Sequence, residues 1–74
     1  MTEDMTNKQK ELFKIFKMAI EDERKAQAMY KKAIALCDDE ETKEILERFY
    51  REEVFHEQKI IERYNRMRKG PETG

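Results

Sequence analysis

The sequence predicts an all-α fold, an antiparallel helical hairpin that dimerises into a four-helix bundle. Two stretches of about 30 residues contain strong helix formers without an internal glycine or proline. A short break at residues 37–39 separates them, and a connection of this length joins antiparallel helices. The apolar face of each stretch is wider than one partner helix can cover, so two hairpins are expected to associate.

The first helix is expected to extend from about Asn7 to Leu36. Thr6 and Gln9 have the spacing of a capping box, in which the two residues exchange hydrogen bonds between side chain and backbone at a helix start. Helix formers then continue without interruption to the break at Cys37. The capping pattern and the break therefore define the two ends of this helix.

The second helix is expected to extend from about Glu40 to Lys69. Asp38 and Glu41 repeat the capping spacing, and acidic residues at a helix N-terminus interact favourably with the helix dipole. A Gly-Pro pair then provides a stop signal and opens a short tail at residues 70–74. The whole chain, residues 1–74, is expected to form a single half-bundle domain.

The length and cysteine content limit how the fold can be stabilised. A chain of 74 residues forms one small domain that is marginally stable without disulfides, metal or a second subunit. Cys37 is the one cysteine, so no disulfide can form within the chain, which fits a reducing compartment. Metal binding and oligomerisation remain as sources of additional stability.

The distribution of charge argues against a nucleic-acid-binding protein. The 16 lysines and arginines are interleaved with 17 acidic residues, and no basic block is set apart from the acidic ones. The first ten residues contain no apolar run of the kind found in a secretory signal, and no membrane partner is expected. The sequence therefore predicts a cytoplasmic protein.

Each helix has an inward stripe, a line of residues spaced alternately by three and four positions that is expected to face the partner helix. In the first helix the stripe consists of Phe13, Phe16, Ile20, Glu23, Gln27, Tyr30, Ile34 and Cys37. In the second helix it consists of Leu46, Phe49, Glu53, His56, Ile60, Arg63 and Met67. Both stripes are mainly apolar, and polar side chains interrupt them near the middle.

Glu23, Glu53 and His56 are expected to meet halfway along the hairpin. Glu23 lies about 15 residues before the break, and Glu53 and His56 lie about 15 and 18 residues after it, so all three fall within about one helical turn. A carboxylate buried without a partner is costly, and a compensating group is therefore expected at this level.

Two interpretations of this polar group are open. The three side chains could pair with one another, or face water if the stripe is offset. Metal ligation instead explains why three ligand-type residues share one level of the face expected to be most apolar. Two copies related by a twofold axis would supply four carboxylates and two histidines, a set that suits two first-row metal ions. The combination of all three residues favours ligation.

The segments AIEDERKAQAMY, residues 19–30, and EEVFHE, residues 52–57, resemble the ferritin-like and rubrerythrin superfamily. The resemblance is closest to its two-helix encapsulated ferritin-like proteins and covers about residues 12–66. In that family a first-helix glutamate precedes the glutamate of a Glu-x-x-His motif by 30 residues, as Glu23 precedes Glu53 here. The resemblance implies that two ferritin-like hairpins complete one di-iron ferroxidase centre.

The resemblance also implies the ligands, the reaction and the partners. Glu23, Glu53 and His56 of each chain would bind two iron ions shared between the chains of a homodimer. The implied reaction is oxidation of Fe(II) by O2 or peroxide, for iron storage or detoxification. The family further implies larger homo-oligomers and an encapsulin shell as partner and compartment. Residues 1–74 contain no rubredoxin-type cysteine pair and no hydrophobic targeting peptide of the kind that the family places in a C-terminal extension.

Several residues near the three candidate ligands have roles that the sequence leaves open. Tyr30 lies two turns from the first-helix ligand and is a candidate catalytic residue, as a hydrogen-bond donor or an electron source; the alternative is a core tyrosine. Gln27 and Glu52 are candidates to hydrogen-bond the ligands. Asp22 and Glu57 are candidates to attract metal, and solvated surface positions are the alternative for Glu52, Asp22 and Glu57.

Two other functions remain open. A non-enzymatic helical oligomerisation module would use the polar group to fix the register between chains, as buried polar residues do in coiled coils. A manganese- or zinc-binding protein would hold metal at the same residues without oxidase activity. Oxidation of Fe(II) in air is the observation that separates a ferroxidase from both of these classes.

Overall fold

The computed structural model describes residues 6–69, which form two helices. α1 comprises Asn7–Leu36 and α2 comprises Glu40–Lys69, each of 30 residues. The helices pack along each other as a hairpin, so the predicted all-helical hairpin is confirmed. Both helices have the expected bounds, while the predicted tail at residues 70–74 lies outside the described residues. Neither helix has an apolar stretch of the length that a bilayer requires.

α1 begins with the predicted capping box. The Thr6 hydroxyl oxygen accepts a hydrogen bond from the Gln9 backbone N–H at 3.1 Å, and the Gln9 side-chain oxygen accepts one from the Thr6 N–H at 2.8 Å. The first turn of any helix has backbone N–H groups without a partner inside the helix. These two bonds therefore stabilise α1 at the residue that the sequence pattern indicates.

The cap of α2 lies one residue later than predicted. The Asp39 carbonyl accepts a helical hydrogen bond from the Lys43 N–H at 2.9 Å, so Asp39 rather than Asp38 is the capping residue. Its carboxylate accepts hydrogen bonds from the Thr42 hydroxyl at 2.6 Å and the Thr42 N–H at 2.7 Å. Both bonds lower the pKa of Asp39. Thr42 thus occupies the position three residues after the capping residue, which the sequence pattern assigned to Glu41.

Aromatic pairs connect the helices on either side of the middle of the hairpin. Phe13 of α1 contacts Tyr64 of α2 edge-on, with ring centroids 5.4 Å apart. Nearer the turn, the rings of Tyr30 and Phe49 have centroids 5.8 Å apart. Such pairs contribute roughly 0.5–1.5 kcal/mol beyond the area they bury. Together they stabilise one register of α1 against α2 and so position the polar residues between them.

The inward stripe of α2 differs from the prediction at three positions. The half-buried residues are Tyr50, Glu57 and Tyr64, whereas the exposed residues one position earlier are Phe49, His56 and Arg63. Successive residues lie about 100° apart around a helix. Relative to the predicted orientation, α2 is therefore rotated about its own axis by part of that angle. Tyr50 and Tyr64 bring two aromatic rings to the seam in place of the single ring of Phe49 and the charged Arg63, and Phe49 keeps its contact with Tyr30. His56 consequently lies at the edge of the seam instead of its centre.

The two sides of the hairpin differ in character. One side, which we call the apolar face, carries Leu12, Ile15, Ala19, Ala26, Met29, Ala33 and Leu36 of α1 with Ile45, Phe49 and His56 of α2, and the same spacing places the charged Asp22, Glu52 and Arg63 there. The other side, the polar face, carries Lys17, Arg24 and Lys31 of α1 with Arg51, Gln58 and Asn65 of α2. Heptad spacing places these two sets on opposite sides of an antiparallel pair. The Tyr30–Phe49 and Arg24–Glu57 contacts agree with this division.

No residue of the described hairpin is fully buried. Eight large apolar side chains within residues 6–69 are exposed, and six of them belong to the apolar face. The other two, Met18 and Phe55, lie on the backs of α1 and α2, away from the seam. Two helices can cover only one side of each other, so the apolar face has no partner within the described chain.

Candidate metal centre

Glu23, Glu53 and His56 lie together midway along the hairpin. Glu23 comes from α1, and the other two residues come from α2. One ligand-type atom from each side chain lies within 4.8 Å of the others. Among residues 6–69, this is the one group of three or more histidine, cysteine, aspartate or glutamate side chains placed closely enough to share an ion. The structure therefore brings together the three residues that the sequence singled out as ligands.

Helix geometry explains why these three residues meet. Glu53 and His56 are three positions apart in α2, so their side chains point from adjacent turns of one side of the helix. Glu23 lies at a similar distance on the other side of the turn, and antiparallel helices place such positions at the same level. The spacing of Glu53 and His56 along α2 therefore brings these two side chains together, and the short turn brings Glu23 to the same level.

His56 approaches both carboxyl groups without forming a hydrogen bond to either of them. His56 Nδ1 lies 3.8 Å from Glu23 Oε1 and 3.7 Å from Glu53 Oε1, which is within ion-pair range but longer than a hydrogen bond. Glu23 Oε1 is buried and has no hydrogen-bond partner among the described residues. A buried polar atom without a partner is costly, and a proton or a cation at this oxygen would offset that cost.

The neighbouring carboxyl group of Glu53 raises the pKa of Glu23. The largest cause is a hydrogen bond between the two carboxyls, which requires a proton on one of them. Burial and the negative charge of Glu53 act in the same direction, and the positive charge of protonated His56 opposes them. A divalent cation bound between the carboxylates would replace the shared proton and remove this cost.

The group opens onto the apolar face. The Glu23 side chain is 21% exposed, whereas His56 is 53% exposed, so the imidazole projects outward from the seam. The residues near it on this face include the apolar Met29 and Phe49 and the charged Asp22 and Glu52. Within the described hairpin, no wall covers the imidazole on this side of the site.

Two carboxylates and one imidazole form a donor set for a first-row divalent ion. Carboxylate oxygens neutralise the charge of one dication and can bridge to a second, and the imidazole supplies a nitrogen ligand. Three protein ligands leave coordination positions free for a further ligand or a small oxidant. The residues present therefore fit a metal centre of the carboxylate type found in helical bundles.

Three other candidate residues lie around the site. Tyr30 packs on Phe49, about two helical turns from Glu23 and nearer the turn, and its catalytic role stays a prediction. Glu52 is exposed one turn before the imidazole. Asp22 is exposed next to Glu23, and its charge contributes to the raised pKa of that carboxyl group.

Arg24, Gln27 and Glu57 form a second polar cluster, which we call the clamp and which the sequence interpretation missed. Gln27 Nε2 donates to Glu57 Oε1 at 2.7 Å, and Arg24 Nε donates to Glu57 Oε2 at 2.6 Å. Both bonds lower the pKa of Glu57, and the Gln27 bond is the larger cause. Gln27 was expected beside Glu23. If the inward stripe of α2 is assigned to Glu57 instead of His56, the spacing of four residues after Glu53 places Glu57 at the seam.

The raised pKa of Glu23 predicts a pH dependence of stability in the metal-free protein. Between the ordinary value of 4.5 and the raised value, the folded state binds more protons at this site than the unfolded state. The free energy of unfolding should therefore fall as pH rises through this window. Urea denaturation in chelator, at one protein concentration, measures it from about pH 4.5 to 7. Glu23→Gln should remove this slope, and an equal slope in the variant would contradict the prediction.

Comparison with known proteins adds no relative to this description. The chain matches no protein-family model, no curated protein and no solved structure.

Proposed function

We propose that two copies of this chain pack through their apolar faces into a four-helix bundle and complete a dinuclear iron centre that oxidises Fe(II). The observation that carries the proposal is the meeting of Glu23, Glu53 and His56 within 4.8 Å on the face that lacks a partner. Each chain would supply half of the ligands. The oxidant would be O2 or peroxide, and the role iron storage or detoxification.

The charge and coordination needs of the group support metal binding. Two chains would contribute four carboxylates, which balance two divalent ions, and two imidazoles, which provide one nitrogen ligand for each ion. The buried Glu23 Oε1, which has no hydrogen-bond partner among the described residues, would gain a cation in place of a proton. Iron held in this way would supply one electron per ion to the oxidant, so that two Fe(II) ions would become two Fe(III) ions.

The exposed apolar residues support dimerisation at the same place. Ala19, Ala26 and Ala33 form a line of small side chains along α1, which permits close approach of another helix. Larger side chains such as Met29 and Phe49 border this line. A second copy would cover them and would also supply the missing wall beside His56. Dimerisation and site completion would then be one event.

The similarity of EEVFHE and AIEDERKAQAMY to segments of ferritin-like proteins supports iron as the metal. The bundle proposed here has the ligand pattern of that superfamily, with a glutamate from each of two helices and a Glu-x-x-His pair from each of the other two. Tyr30, about two helical turns from Glu23, is included in the proposed site as a hydrogen-bond donor or an electron source. Larger homo-oligomers and an encapsulin compartment are part of the same family-based proposal.

A helical oligomerisation module and a manganese or zinc protein are the competing functions. In the module, the polar group would only set register, and metal would affect neither assembly nor melting temperature. In the manganese or zinc protein, metal would stabilise the dimer but Fe(II) would not be oxidised. The exposed apolar face fits all three functions, whereas the unsatisfied Glu23 Oε1 favours the two that bind metal.

Metal content and mass of the purified protein test the proposal directly. We expect a dimer or an even-numbered assembly that binds about one Fe(II) per chain under anaerobic conditions, because each chain supplies one imidazole and two carboxylates. Native mass spectrometry and iron analysis measure both quantities on one sample. A monomer that binds no iron at neutral pH would contradict both parts of the proposal.

A further inference from the structure

We propose that the clamp positions the metal ligands, because the Gln27–Glu57 hydrogen bond sets the separation of α1 and α2 directly behind the site. This inference rests on the proposed function, since it concerns the same metal centre. It assigns Gln27 and Glu57 as positioning residues that contact no metal. Arg24 acts with them by occupying the second oxygen of Glu57.

The clamp lies at the same level along the hairpin as the metal ligands. Gln27 is four residues nearer the turn than Glu23, and Glu57 is four residues farther from the turn than Glu53. Helical side chains lean toward the N-terminus of their own helix, so Gln27 leans back toward Glu23 and Glu57 leans back toward Glu53. The two side chains therefore meet at the level of the metal ligands.

The clamp lies on the opposite side of the seam from His56. Arg24 belongs to the polar face, and its guanidinium reaches Glu57 at 2.6 Å. His56 instead projects onto the apolar face. The clamp and the metal ligands thus occupy opposite sides of one layer of the hairpin. A second chain on the apolar face would leave the clamp free to hold α1 and α2 together from behind.

Burial and two hydrogen bonds hold the Glu57 side chain in place. Its side chain is only 15% exposed, and both carboxylate oxygens accept hydrogen bonds from α1. A half-buried carboxylate with both oxygens engaged is held in one geometry and is unavailable as an additional ligand. Metal sites tolerate misplacement of about 0.5 Å, so a bond that spans the helices at this level affects the distance between Glu23 and Glu53.

Cobalt binding by matched variants tests the clamp. Gln27→Met keeps the length of the side chain and loses the hydrogen bond, and Gln58→Met makes the same change at an exposed position of the polar face. We expect Gln27→Met to weaken Co(II) binding on the order of tenfold and to alter the visible d–d spectrum. Gln58→Met should leave both unchanged. Circular dichroism at the temperature of the titration verifies that both variants remain helical.

Glu57→Gln is the conservative variant that separates positioning from charge. Its side-chain carbonyl can still accept the hydrogen bond from Gln27, so its Co(II) spectrum should remain that of the wild type. Wild-type affinity and spectrum in Gln27→Met would overturn the assignment, as would equal weakening in Gln58→Met. Failure of the wild-type protein to bind Co(II) would instead contradict the proposed metal centre itself.

Discussion

Replacing Glu53 or His56 with alanine is expected to reduce Fe(II) oxidation to the rate in buffer alone. Each residue supplies one of three donor groups that lie within 4.8 Å of one another, and the dimer would lose two ligands at once. Loss of residues that only support metal ligands typically costs 10–100-fold in affinity or activity, so loss of a ligand should cost at least about 100-fold. Absorbance in the near ultraviolet after aerobic addition of Fe(II) measures the rate.

A glutamate outside the site provides the control for this experiment. Glu62 is exposed on α2 and its carboxylate lies 3.9 Å from Lys59 Nζ, in an ion pair that contributes little to stability. Glu62→Ala should oxidise Fe(II) as fast as the wild type. If Glu53→Ala and His56→Ala also oxidise at that rate, these residues are not ligands and the ferroxidase proposal fails at this site.

Met29→Lys is expected to break the dimer, whereas Met18→Lys is not. The two methionines lie on the same helix with nearly equal exposure, 58% and 56%, but Met29 belongs to the apolar face and Met18 to the back of α1. Loss of about 2 kcal/mol of apolar burial at each of two symmetry-related positions would weaken dimerisation roughly 1,000-fold. The charge of lysine adds a further penalty in a dry interface.

Sedimentation over a range of protein concentrations distinguishes the two variants. Met29→Lys should sediment as a monomer at concentrations where the wild type and Met18→Lys are dimers. Because the metal site would be incomplete, Met29→Lys should also lose Fe(II) oxidation, although none of its ligands is changed. Equal assembly of both variants would show that the apolar face is not the dimer interface.

The helices could be predicted from the sequence because their signals are local. Thr6 and Gln9 form the expected capping box. The cap of α2 was placed wrongly at Asp38 because two adjacent aspartates satisfy the same pattern. Only the conformation of the turn, in which the carbonyl and carboxylate of Asp39 accept the hydrogen bonds, distinguishes them. The local sequence thus predicts that a helix begins here, and the conformation of the turn determines which of the two aspartates is the capping residue.

The candidate site was predictable to the extent that it depends on distance along the helices. Equal separation from the turn brings Glu23 to the level of Glu53 and His56 without knowledge of packing. The rotation of α2 depends instead on which side chains fill the seam, and the prediction that centred His56 in the stripe was wrong for this reason. The clamp was missed because it forms between residues at different levels, through side chains that lean toward each other.

The absence of a fully buried residue from the described hairpin has a consequence for protein turnover. Proteases cut the locally opened state, and helices held by one seam open more often than helices held by two. A chain without partner or metal would therefore be degraded sooner than an assembled one, since ligands protect only the folded form. If the proposed metal centre forms, the cellular amount of this protein would follow the supply of metal even at a constant rate of synthesis.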